Sequence, residues 1–290
     1  MEDRGTAWWS LWVEVQLERA WALYWQGDVS GLEALVARVG PSVEEKGAVL
    51  QRSQFLAVRI LAGLRRDRYR VGDETMALAA RNVELATEAG DARQLGYALF
   101  QCGFCRMWRN ELDEADRHLA AAAEKAEAIE DRVLQSRCYS YLTLTARKRD
   151  DVEGATRWNA KALEVAQAAG MLEYVGAGFG NAGWISLRAG DRAGAESRAR
   201  KGLEILASLP IAHGPLDWIA AFPLVAALVE EGRLAEAAEP ARIILEPTAH
   251  AIPDPLRDAL ADAVRACDEG TDAAPLFARA LDLARTHRYV

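Results

Sequence analysis

The feature that most constrains this chain is a segment that recurs: a short polar turn followed by an Ala-rich stretch. It stands at 109–126 (RNELDEADRHLAAAAEKA), 149–166 (RDDVEGATRWNAKALEVA), 189–206 (AGDRAGAESRARKGLEIL) and 231–247 (EGRLAEAAEPARIILEP). Ala115, Ala155, Ala195 and Ala237 hold the same place in each copy, at spacings of 40, 40 and 42 residues. Such a period marks stacked helix pairs, because one pair cannot bury its apolar face alone and a row of them can. Weaker copies at 27–39, 71–90 and 269–284 extend the series toward both ends. No segment alternates apolar and polar residues between turn signals, so strands are not expected. The expected fold is an all-α solenoid of about seven helix pairs, a single domain over 1–290. Residues 1–40 form a Trp-rich N-terminal repeat or cap. Residues 208–290 form less regular repeats, because prolines concentrate after residue 209. Each proline removes a backbone donor and restricts the residue before it, so irregular connections are expected near 208–217 and 246–254.

Charge and motifs exclude several classes of function. There are 35 Lys plus Arg against 43 Asp plus Glu, a formal net charge of −8. That balance disfavours non-specific nucleic-acid binding, which needs a dense basic surface. No apolar run approaches the roughly 18–20 residues that cross a bilayer. The start, MEDRGTAWWSLW, lacks the basic stretch and apolar core of a secretory signal. A cytoplasmic protein without membrane contact is the expectation. The four cysteines, Cys102, Cys105, Cys138 and Cys267, are too few for a disulfide scaffold and read as reduced thiols. Cys102 and Cys105 form a CGFC motif, but inside an expected helix rather than at the strand-to-helix junction of thiol–disulfide sites, so their role reads as structural. No second Cys/His pair lies nearby to complete a zinc site. His118, His213, His250 and His287 are scattered, without an HExxH pattern or a nucleophile motif. The acidic pair Asp150 and Asp151 reads as a cap for the helix that follows. Neither catalytic residues nor a metal or cofactor are expected.

The repeat resembles the tetratricopeptide repeat. That family carries a small residue late in the first helix of each pair, then Ala twelve positions on, with a large apolar residue and another Ala on the second helix. Gly103, Ala115, Leu119 and Ala122 fit this register, as do Gly183, Ala195, Ala199 and Gly202; Thr143, Ala155, Asn159 and Ala162 fit it loosely. The resemblance covers nearly the whole chain and implies a right-handed superhelix. The family's usual unit is shorter than the one here. The longer unit is similar to the sensor regions of MalT-like signalling ATPases and of related regulators and cyclases. This chain has no GxxxxGK[ST] phosphate loop, so that resemblance implies the sensor or scaffold portion alone.

In the family the first helices line the concave face, and that face usually binds the partner. With Gly103, Thr143, Gly183 and Val225 taken as equivalent, the resemblance points a set of side chains inward. The third repeat gives Tyr97, Phe100, Phe104, Met107 and Trp108; the fourth gives Arg137, Leu144, Arg147 and Lys148; the fifth gives Trp184, Leu187 and Arg188; the sixth gives Ile219 and Phe222. Tyr24 shares the register with Trp21 and Trp25. Aromatic and Arg side chains are the common anchors of interfaces, and this set suits a peptide or helix bearing apolar and acidic residues. The alternative is that these rings pack between repeats. Arg106 falls toward the core in this register. Five tryptophans, Trp8, Trp9, Trp12, Trp21 and Trp25, crowd the N-terminal segment, either as a cap folding back or as a docking surface. The leading expectation is a non-catalytic scaffold or adaptor in signalling with a protein or peptide partner. The alternative is a small-molecule-sensing regulatory domain.

Overall fold

The computed structural model describes residues 4–209 and 216–290, with side chains from Ala7 onward. Pro210–Pro215, and with them His213, lie outside the described residues. Among the described residues there are fourteen α-helices and no strand. The first six are α1 (Arg4–Gln26), α2 (Val29–Lys46), α3 (Val49–Arg66), α4 (Asp73–Ala89), α5 (Ala92–Trp108) and α6 (Leu112–Ala128). The next four are α7 (Arg132–Lys148), α8 (Val152–Ala169), α9 (Leu172–Arg188) and α10 (Arg192–Ala207). The last four are α11 (Trp218–Glu230), α12 (Leu234–Leu245), α13 (Asp254–Glu269) and α14 (Ala274–Thr286). They make the seven pairs that the period predicts, and the expected irregular connection is present at 246–253.

The turns explain why the helices stop and start with such regularity. Gly90, Asn110, Glu130, Asp150, Gly170 and Gly190 all have positive φ, and they stand 20 residues apart. This left-handed residue closes a helix and reverses the chain, one turn for every helix of a 40-residue pair. An aspartate one position on then caps the next helix in four of these turns: Asp91, Asp131, Asp151 and Asp191 accept from the backbone N–H of Gln94, Leu134, Gly154 and Gly194 at 2.7–3.0 Å. The expected pair therefore splits its work. Asp151 caps α8, whereas Asp150 turns the chain and pairs with Arg188.

The chain divides into two compact units, 1–134 and 135–290, with the boundary inside α7. In the first unit α1 packs on α2 and α3, α3 on α4 and α5, and α5 on α6. In the second, α9 packs on α8, α10 and α11, α11 on α12 and α14, and α13 on α14. The repeated alanines Ala115, Ala155, Ala195 and Ala237 are wholly buried. Opposite them, the small residues of the first helices let the backbones close up. A Cβ on Gly103 would stand 3.1 Å from the carbonyl oxygen of Ala115, and one on Gly183 would stand 3.2 Å from that of Ala195. A Cβ on Gly180 would come within 2.8 Å of the Ala220 nitrogen on α11.

A polar ladder fastens α3, α4 and α5 inside the first unit. Ser53 Oγ donates to Asn82 at 2.7 Å and accepts from Gln94 at 2.9 Å; Asn82 donates to Gln101 at 3.2 Å, and Gln101 donates to the Ala57 carbonyl at 3.1 Å. All four side chains are buried, so each bond is made where water cannot replace it.

Candidate functional site

In the first unit a row of aromatic rings runs along α1 and α5 and takes in the turn after α3. On α5, Tyr97, Phe100, Phe104 and Trp108 recur at i, i+3, i+7 and i+11, about 100° around the helix from the Gly103 face that meets α6. Their centroids follow one another at 6.1 Å. Trp21 of α1 meets Tyr97 edge-on at 5.8 Å and Tyr24 at 5.9 Å, and Trp25 meets Tyr24 at 5.2 Å. Tyr69, in the turn after α3, closes the row against Phe104 at 6.0 Å and joins hydroxyls with Tyr24 at 2.9 Å. Arg65 lies 4.4 Å over the Tyr24 ring and donates to that residue's carbonyl. Phe100, Phe104 and Met107 are buried, whereas Trp21, Trp25, Tyr97 and Trp108 are half-buried and present the row's edge.

The other crowded tryptophans divide by burial. Trp9 and Trp12 pack on the core of the first unit, and Trp9 Nε1 donates to Gln51 at 3.0 Å. Trp8 is 64% exposed and shares a strip of α1 with exposed Leu11 and Val15. Arg106 does not enter the core: it is half-buried and pairs with Glu111 at 2.7 Å.

In the second unit the residues singled out on α7, α9 and α11 meet around a buried cation. Arg147 is 6% exposed and donates to Asn181 Oδ1 at 2.8 Å, to the Ile219 carbonyl at 3.2 Å and to the Tyr289 carbonyl at 3.3 Å. Its guanidinium lies 5.4 Å from the Trp184 ring centre and 5.7 Å from that of Trp218. No carboxylate among the described residues pairs with it, and burial pushes its pKa down. Lys148, also buried, places its ammonium 5.8 Å from the Tyr289 ring centre. Burial pushes its pKa down to about 8, helped by Arg288 and Arg147.

Tyr289, in the segment after α14, fills the space these groups surround. Its ring stacks on Phe222 at 4.7 Å and meets Trp218 edge-on at 5.4 Å, while its hydroxyl lies 2.9 Å from Nε2 of His250. Trp184 and Phe222 are each 1% exposed, so neither presents surface: Trp184 packs on Ala146 and Ala155, and Phe222 lies under Tyr289. Ile219 and Leu144 are buried too, Leu187 and Arg137 are half-buried, and Arg188 is exposed beside Asp150. Trp218, His250, Asn181 and Tyr289 are absent from the set read off the sequence. Trp218, His250 and Tyr289 lie at a helix start, in an irregular connection and beyond α14, where a helical register assigns no direction; Asn181 lies inside α9 beside a packing glycine.

The remaining motifs place as follows. Cys102 and Cys105 are buried free thiols, and burial pushes both pKa values up. Among the described residues no group of three or more His, Cys, Asp or Glu is arranged to hold a metal ion, and no helix is long and apolar enough to cross a membrane.

No family model matches the chain, and no curated protein does. Solved structures do. NprR in complex with its cognate peptide NprX superposes with a TM-score of 0.62 at 15% identity, over 80% of this chain and 66% of that one. A Rap protein complexed with competence and sporulation factor gives 0.58 at 16%, over 97% of this chain and 88% of that one. BtubC from P. vanneervenii gives 0.51 at 14%, over 89% and 91%. This chain thus spans slightly less than two thirds of NprR. At such identities the likeness establishes the fold, and the fold is a tetratricopeptide-like helical repeat.

Proposed function

We propose that this chain is a non-catalytic regulatory scaffold that binds a peptide on the first-helix faces of its repeats. The observation that carries the reading is the unbroken aromatic row on α1 and α5, with the half-buried rings of Trp21, Trp25, Tyr97 and Trp108 at its edge. Rings held by their neighbours offer large contact area at little cost in side-chain entropy, which is what a short peptide needs from its receptor. The complexes of NprR with a peptide and of Rap with its factor support the same use of this fold. The finer reading, a sensor region like those of MalT-like signalling ATPases acting in the cytoplasm, rests on the 40-residue unit and on four cysteines without a disulfide.

The test is selection of random peptides on the full chain, followed by titration against a Tyr97→Ala, Trp108→Ala double variant. Loss of two edge rings is expected to cost about 2 kcal/mol, roughly thirtyfold in Kd. Unchanged affinity with the helical signal intact removes this face. If no peptide is enriched, peptide binding itself is refuted.

A further inference from the structure

The pocket in the second unit is already occupied, and its occupant shows what it takes. Tyr289 is held as a ligand residue would be. Its ring lies between Phe222 and Trp218, its hydroxyl meets His250, its carbonyl accepts from Arg147, and the Lys148 ammonium lies over its ring. These partners come from α7, α11 and the α12–α13 connection, whereas Tyr289 lies on a short segment beyond α14. Arg147 is the telling member. A buried guanidinium without a carboxylate needs neutral oxygens, and two of its three are main-chain carbonyls. One of these, Ile219, belongs to α11, buried from Trp218 to Leu228; the other travels with Tyr289.

We infer that this pocket is a second recognition site, specific for a tyrosine or phenylalanine within a peptide and for that residue's own carbonyl, and that the Tyr289 segment is an internal occupant the peptide displaces. The inference rests on the peptide-binding reading and adds a ligand chemistry and a control to it. An occupant present in the free protein lowers apparent affinity in proportion to the fraction of molecules left open. If the segment is docked in nine molecules of ten or more, its removal strengthens binding by about tenfold or more.

The experiment compares the full wild-type chain with Tyr289→Ala and Tyr289→Phe, each checked for helical signal and melting temperature. The probe is a capped peptide with the sequence of residues 284–290, ARTHRYV. It is expected to bind Tyr289→Ala at least tenfold more tightly than wild type, and a peptide with Ala in place of its tyrosine is expected not to bind. Tyr289→Phe keeps the ring in place and should behave as wild type within a few fold. Equal binding to wild type and Tyr289→Ala, or none to either, overturns the proposal. Should Tyr289→Ala not fold, hydrogen exchange of residues 286–290 in the wild type decides. Exchange that accelerates with excess probe supports displacement; exchange unchanged up to millimolar probe overturns it. Random-peptide selection separates this inference from the reading beneath it. Peptides enriched on both proteins without an aromatic bias for Tyr289→Ala sink the second site alone, whereas no enrichment on either sinks peptide binding altogether.

Discussion

Gly180→Ala should destabilise the protein even though alanine is the better helix former. The Cβ it adds would stand 2.8 Å from the Ala220 nitrogen and 2.9 Å from its Cα and Cβ. Two of those atoms are backbone, so no rotamer change relieves the clash. Restoring ordinary contact requires α11 to retreat by roughly 0.7 Å. That helix is buried from Trp218 to Leu228, so it cannot retreat without disturbing α12 and α14. Overpacking against a held neighbour costs about 3 kcal/mol at the upper end of the usual range, and replacing a helical glycine recovers about 1. The expected net loss is about 2 kcal/mol. The assay is urea unfolding followed by circular dichroism, with the slope m required to stay constant so that the midpoint reports stability. Gly63→Ala is the internal control: its Cβ meets only the Thr75 hydroxyl oxygen, at 3.1 Å, which a rotamer change moves. That variant should be at least as stable as wild type. If Gly180→Ala also matches or exceeds wild type, then the α9–α11 approach is not tight and the argument fails. The same retreat would carry the Ile219 carbonyl away from Arg147, so weaker occupation by Tyr289 should accompany the lost stability.

Three further outcomes follow from buried groups. Asn82→Ala leaves Gln101 Oε1 without its donor and Ser53 Oγ without its acceptor inside a dry core, and should cost about 2 kcal/mol by denaturant unfolding. Of the four thiols, Cys102, Cys105 and Cys138 are buried and Cys267 is partly open; an Ellman titration of the native protein should therefore show one faster thiol, abolished by Cys267→Ser. Lys148 titrates near 8 when folded against 10.5 when free, so between those values the unfolded chain binds more protons. Stability should then rise with pH across that window, by roughly 3 kcal/mol at most, and Lys148→Met should flatten this rise in thermal melts taken from pH 7 to 11.

The fold was legible because its determinants are local. The recurring Ala, the capping Asp and the left-handed turn residue are each read within one 40-residue unit, and each does in the structure what its chemistry suggests. Burial was less legible, because helical register tells which way a side chain points but not what comes to meet it. The register assigned Trp184 to the groove, yet Ala146 and Ala155 enclose it. Phe222 is covered by a residue 67 positions away in sequence, and no periodicity links the two. Arg147 read as a cation lining the concave groove. The packing of α9, α11 and Tyr289 around it takes it out of water, and the α9–α11 approach runs through Gly180, whose own signal was merely a small residue in a run of them.

What that buried cation does for the molecule can be argued from its three acceptors. Burying a guanidinium without a counter-charge is costly, and the cost is bearable only while neutral oxygens satisfy it. Asn181 and Ile219 lie within packed helices, whereas Tyr289 lies outside the helices, on the segment that the proposal has displaced. When it leaves, the pocket holds a charge short of one acceptor beside the exposed face of Phe222. That open state is therefore unfavourable, and it is relieved by whichever segment next offers a carbonyl and a ring. The group that holds the internal occupant is thus the group that selects its replacement. Arg147→Met, similar in length but without charge or donors, should weaken both together. Hydrogen exchange at residues 286–290 should quicken by about tenfold for each 1.4 kcal/mol lost, and binding of the 284–290 peptide to a Tyr289→Ala background should fall by a comparable factor. If Arg147→Met frees the segment yet leaves peptide affinity unchanged, occupant and ligand do not share the site, and the displacement scheme is wrong.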